Sequence, residues 1–261
     1  MANGGVGCRR ASAGGVAMNE YRAPGPDSTE ALDSVDGDRP ERADPDGGTT
    51  ASVYLPPFRI DVTARNGIVQ LISRHRLVAA VRLALEAAGA PGPASIGIVL
   101  SGDGELAELN AVHLGHSGPT DVLSFPFFPP EAYPMHERGV PTGRDPWVAA
   151  ALKQAFALPP GLRAHLGDVI VSVERAVAQA ADGLGGQTGD VRWTPAEELL
   201  LLAVHGTLHV CGWDHDDPVE ESGMRALERR VLASLPLHDA ERASSAARET
   251  DSSEAAASPD R

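Results

Sequence analysis

The chain has 261 residues with 22 Lys and Arg against 36 Asp and Glu, a formal net charge of −14, so it lacks the global basic footprint of a protein that coats nucleic acid. Its two cysteines, Cys8 and Cys211, exclude a disulfide framework, and its longest apolar run, residues 199–204, is far short of the roughly 18 residues that span a bilayer. The first ten residues, M-A-N-G-G-V-G-C-R-R, have no apolar leader core, which gives the expectation of a cytoplasmic protein without membrane attachment.

Residues 1–52 carry Gly, Ser, Asp and Pro clusters without periodic apolar positions, so they bury too little surface to offset chain entropy and read as a disordered N-terminal arm. Residues 239–261 read as a disordered tail for the same reason, leaving 53–238 as one folded domain. The charge divides as −4 in the arm, −7 in the domain and −3 in the tail.

Within the domain, F-R-I-D-V-T at 58–63 alternates with period two and ends at Asn66-Gly67, the pattern of a strand and a turn. Residues 68–88 then adopt helical spacing, with Val69, Ile72, Leu77, Val81, Leu85 and Ala88 on one face and Gly89 and Pro91 as the stop. A second strand is expected at 95–100, a short helix at 104–114 with Leu106, Leu109 and Val112 inward, and a third strand at 121–125 closed by Pro126. Residues 127–165 are broken by proline and read as an insertion over one edge of the domain, helical only at 147–156. A fourth strand at 166–172 and a helix at 173–181 follow, then the flexible G-L-G-G-Q-T-G. Strands alternate with helices first and the end is all helical, so the expected fold is α/β (α+β): a single small mixed sheet of about four strands packed with about five helices.

Between residues 59 and 82 stand Arg59, Arg65, Arg74, Arg76 and Arg82 against the single acid Asp61. Two readings stay open, a phosphate-binding patch and the solvated face of a helix.

The chemistry concentrates in H-G-T-L-H-V-C-G-W-D-H. Thr194-Pro195-Ala196-Glu197 is a capping box with proline at the first helical position, so a helix begins there, driven inward by Leu199, Leu200 and Leu202. His205 and His209 lie four apart on one face of it, Gly212 supplies the left-handed exit, and His215 returns from the following loop. Three imidazoles with a fourth position open to water are the pattern of a catalytic zinc site, where the ion lowers the pKa of its water to about 7. Cys211, two residues after His209, points off the His205/His209 face and is not expected to be a ligand, whereas Asp214 is placed to orient a water or support a ligand. The spacing His-x-x-x-His-x-x-Gly-x-x-His is also that of metzincin zinc peptidases, but Gly206 stands where their general-base Glu follows the first His.

The same residues resemble the signature of the YbeY endoribonucleases, also called ribosomal RNA maturation factors, H-G-x-L-H-L-x-G-[YW]-D-H. It is matched at His205, Gly206, Leu208, His209, Gly212, Trp213, Asp214 and His215, with Val210 in place of leucine. Leu109-Asn110 followed by P-T-D-V-L-S-F-P to Pro126, and L-G-D-V-I-V-S at 166–172, extend the resemblance over about residues 58–235. The resemblance implies a small metal-dependent hydrolase that cleaves single-stranded RNA, matures small-subunit ribosomal RNA and clears defective ribosomes. It implies His205, His209 and His215 as ligands of one Zn2+ per chain and the ribosomal small subunit or its assembly factors as partners; His205 and Asp214 are the residues expected to carry the catalysis. Arg59, Arg74 and Arg76 would hold backbone phosphates, and Thr120 and Asp121 would line the cleft. One departure stands out: the family's aromatic–Arg pair is His113-Leu114 here, which removes a phosphate clamp and leaves His113, His116 or Arg144 as stand-ins. It also keeps a different class open, a non-catalytic ribosome-assembly factor that retains the metal for stability.

Overall fold

A computed structural model describes residues 9–10, 42–43, 47–137, 140–142, 162–182 and 193–235. Its main sheet has five strands: β1 (Thr49–Leu55), β2 (Phe58–Ala64), β3 (Ala94–Ser101), β4 (Val122–Pro126) and β5 (Ala164–Ser172). The spatial order is β4-β5-β3-β2-β1; β2, β3 and β5 run parallel, while β1 and β4 pair antiparallel with their neighbours. Two-residue strands, Arg9–Arg10 beside β4 and Arg42–Ala43 beside β1, extend the two edges. A short hairpin pairs Met135–Glu137 with Val140–Thr142.

Among the described residues there are five α-helices: α1 (Arg74–Ala87), α2 (Asp103–Leu114), α3 (Val173–Asp182), α4 (Pro195–Val210) and α5 (Pro218–Ala233). Residues 198–213 are buried without interruption, so α4 is enclosed on every side and forms the centre of the molecule, packed on β4 and β5 and flanked by α1, α3 and α5. Its start follows the local code. Thr194 Oγ1 accepts from the Glu197 amide at 3.3 Å and the Glu197 carboxylate accepts from the Thr194 amide at 2.7 Å, with Pro195 at the first helical position. Thr194→Ala is expected to lower stability by about 1 kcal/mol in urea denaturation; an unchanged midpoint would mean that this end of α4 lies outside the cooperative unit.

The sheet differs from the sequence expectation by one strand. Thr49–Leu55 runs through the boundary of the expected arm and pairs along its whole length with β2. Its alternation is muted, since of its apolar residues only Ala51 is fully buried, and the preceding D-P-D-G-G masks it. Gly48, at φ +132°, makes the entry possible: a side chain there would collide with the Ala64 carbonyl.

Three local expectations also change. α1 begins at Arg74 and not at 68, because the Ser73 hydroxyl caps it by accepting from the Arg76 amide, and Val69 is left exposed. Val112 of α2 is 77% exposed, and Asn110 turns inward instead to donate to the Gly118 carbonyl at 2.8 Å. β5 starts at Ala164, within the range read as the insertion, while the helix expected at 147–156 and nearly all of the arm and tail lie outside the described residues.

Candidate metal centre

α4 ends in a turn that satisfies its own last carbonyls. The Trp213 amide donates to the Leu208 carbonyl at 3.1 Å and the Gly212 amide to the His209 carbonyl at 3.0 Å, with Gly212 at φ +89°. Gly212 also packs tightly, its missing Cβ lying 3.1 Å from Pro130 Cα, and Trp213 is fully buried as the anchor of the turn. The chain then reverses toward α5, whose N-cap Asp217 accepts from the Val219 and Glu220 amides. Glu220 in turn accepts from the Asp214 amide at 3.0 Å. This closed loop carries His215 back over the face that presents His205 and His209.

The candidate ligand atoms of His205, His209 and His215 all lie within 4.8 Å of one another. His205 and His209 are buried and His215 is half-exposed, so the cluster sits at the edge of the core with one side toward solvent. The Nδ1–H of His209 donates to the Trp213 carbonyl at 2.8 Å, and that of His205 to a buried carboxylate, Glu228 Oε1, at 2.6 Å. Both partners are acceptors, so in the neutral form of each ring Nε2 is the nitrogen with the lone pair for a ligand bond. The two Nε2 atoms are 3.2 Å apart. Two ring nitrogens at that distance need a proton or a metal ion between them, and two imidazole nitrogens at about 2.0–2.1 Å from one tetrahedral ion stand about 3.3 Å apart. The donor set therefore fits a divalent ion.

Cys211 takes no part. Its sulfur is fully buried and desolvation pushes the thiol pKa far up, so it remains a neutral thiol packed in the core. Asp214 is half-exposed; its Oδ1 accepts from the His215 amide at 2.7 Å and lies 4.0 Å from His215 Nδ1. Gly206 faces away from the cluster: its carbonyl accepts from Ser124 of β4 at 3.1 Å, and a Cβ there would collide with Val169 of β5. The position that carries the general base in metzincins points into the sheet in this fold.

The other residues singled out in the sequence are dispersed. Phe58, Ile60 and Val62 face the buried core, so by strand alternation Arg59 lies on the opposite face of β2, where it pairs with Asp61 at 3.1 Å; the structure does not bring it to the histidines. Arg74 and Arg76 open α1. The His113 ring packs edge-on against Phe125, centroids 5.1 Å apart. His116, Thr120 and Asp121 line an open polar hollow of about 250 Å³ together with Arg175 and Gln179. Asp121 is buried and its oxygens accept from the Val122 amide, Thr120 and Gln179, which ties β4 to α3. Arg144 lies outside the described residues.

Glu228 was missed in the sequence. A signal existed, a carboxylate at helical spacing within the apolar stripe Met224, Leu227 and Val231, but nothing local ties it to His205.

A mixed α/β domain whose central helix and following turn bring three imidazoles together is the class of small metal-dependent hydrolases. The family model described as Endoribonuclease YbeY matches residues 65–236. Similar proteins include the endoribonucleases YbeY of Roseiflexus sp. (strain RS-1), 36% identical over 60% of this chain and 81% of the relative, and of Salinispora tropica, 37% identical over 62% and 88%. That of Chloroflexus aurantiacus is 32% identical over 71% of this chain and 97% of its own length. The solution structure of TM1509 from Thermotoga maritima aligns with a TM-score of 0.37 at 19% identity, covering 67% of this chain and 89% of that one. The chain belongs to the YbeY endoribonuclease family, and as a member it is a metal-dependent endoribonuclease, a hydrolase of ribosomal RNA processing.

Proposed function

We propose that this protein is a zinc-dependent endoribonuclease that cuts single-stranded RNA during small-subunit ribosomal RNA maturation and ribosome quality control, with one zinc held by His205, His209 and His215. The observation that carries this reading is the convergence of the two Nε2 atoms, 3.2 Å apart, on rings oriented by Glu228 and the Trp213 carbonyl. Zinc is the ion proposed because three imidazoles with one open coordination position are its usual catalytic set. When bound, it supplies Lewis-acid polarisation of a phosphoryl oxygen and acidifies a water molecule. The protein's own part is orientation. Burial of His205 and His209 excludes bulk water from one side of the cluster, and the half-exposed side at His215 and Asp214 is where RNA reaches it. Asp214, with one carboxylate oxygen held by the His215 amide, offers the other to orient the attacking water.

Arg74 and Arg76 at the start of α1 are the proposed phosphate contacts, with Arg59, His113, His116, Thr120 and Asp121 as weaker candidates given where they lie. The described residues include no helix long and apolar enough to cross a membrane, which is compatible with action on ribosomal particles in the cytoplasm. The small subunit or its assembly factors are the proposed partners.

Leu114 motivates the second reading, an assembly factor that keeps the metal without cutting. It is the last residue of α2, half-buried before the left-handed cap Gly115, so an arginine there could extend to solvent without leaving the helix. Leu114→Arg is expected to raise cleavage of a single-stranded ribosomal RNA fragment by at least about tenfold, up to the 10²–10³ that one transition-state donor is worth, at unchanged metal content. An unchanged rate would remove any phosphate role from that position.

A further inference from the structure

One histidine of the cluster is backed by a buried charge. Glu228 is 3% exposed and pairs with His205 at 2.6 Å, whereas the Trp213 carbonyl that accepts from His209 is neutral. A carboxylate buried to this degree is costly unless something requires it, and Met224, Leu227 and Val231 show that an apolar residue at 228 would complete the stripe of α5.

We propose that Glu228 is the positioning residue of the metal centre, holding His205 with Nδ1 protonated and Nε2 aimed at the ion, and supplying the negative charge that lets a divalent cation bind among neutral imidazoles. The proposal rests on the metal reading of the cluster and assigns a role outside the histidine motif. Three neutral imidazoles leave a bound dication uncompensated in a mostly buried site; with Glu228 the local charge falls from +2 to about +1, and the hydrogen bond raises the basicity of His205 Nε2. The Trp213 carbonyl supplies the orienting half of this support to His209.

The chemistry separates the two halves. In Glu228→Gln the amide oxygen can still accept from His205 Nδ1, so orientation is kept and the charge is lost. In Glu228→Met both are lost, while an apolar side chain of similar volume joins its neighbours in the core, a replacement that is often neutral or stabilising for buried charged pairs.

The test is a competitive zinc titration against a chromophoric chelator on the full chain, for the wild type, both variants and Glu221→Gln, which alters only a surface partner of Arg225 on the same helix. Thermal midpoints and the imidazole nitrogen resonances of the metal-free proteins are recorded alongside. The expected result is zinc affinity about 10- to 100-fold weaker in Glu228→Gln and weaker still in Glu228→Met, and wild-type affinity in Glu221→Gln. In Glu228→Met the metal-free midpoint is held or raised and His205 loses its single tautomer. A purely structural role would lower midpoint and affinity together, and that outcome overturns the proposal, as does wild-type affinity in both Glu228 variants. If the wild type binds no zinc, the metal reading itself fails and the proposal goes with it.

Discussion

His209→Ala is expected to abolish RNA cleavage and to weaken metal binding by more than about 100-fold, since removing only an outer partner of a ligand costs 10- to 100-fold. His209 is fully buried, its Nδ1 holds the Trp213 carbonyl, and its Nε2 is one of the two that face each other across 3.2 Å. The substitution therefore removes a proposed ligand and an anchor of the turn that delivers His215. His215→Ala separates these effects, because His215 is half-exposed and its loss opens no core cavity. Metal analysis and cleavage assays on both variants should agree. Wild-type metal content in either would place the ion elsewhere.

Gly206→Ala is expected to have the largest effect on stability. The glycine lies in the middle of α4, where alanine would ordinarily gain about 1 kcal/mol. Here the added carbon would collide with Val169 Cγ1 and stand 3.0 Å from Val122 Cγ2 and 3.1 Å from Ser124 Oγ. These neighbours are β-branched side chains and a hydroxyl committed to the Gly206 carbonyl, none of which yields cheaply. Overpacking of this kind costs about 1–3 kcal/mol, enough to lower the thermal midpoint by several degrees in a domain of this size. A neutral or stabilising result would mean that α4 does not approach the sheet this closely. The same contact accounts for the absence of a glutamate after the first histidine: the site has no room for one.

What the sequence made legible depended on how local the determinants are. The course of α4 was readable to the residue, from the Thr194 cap to the Gly212 exit, because a capping box, a first-turn proline and a left-handed glycine each act within four residues. The histidine cluster followed, since two of its members share that helix and the third lies just past its end. β1 was hidden because a half-exposed edge strand needs few large apolar residues. The start of α1 was misplaced because apolar spacing at 68–72 continues the helical pattern although Ser73 caps it later. Val112 and Asn110 exchanged places because α2 packs by its polar contact with the Gly118 carbonyl as well as by its leucines. Glu228 was beyond reach for a different reason: it meets His205 only after α5 folds back across α4, and no spacing rule records a contact 23 residues apart in the chain.

The measurement that bears most directly on the account is cleavage of a single-stranded fragment of small-subunit ribosomal RNA by the wild-type protein before metal removal, after chelation, and after return of zinc. The account predicts cutting by the native protein, none after chelation, and recovery at about one equivalent of zinc per chain, because it proposes a single site at His205, His209 and His215. Undiminished cutting by the stripped protein would contradict it, and so would a protein that takes up one zinc and leaves the RNA intact.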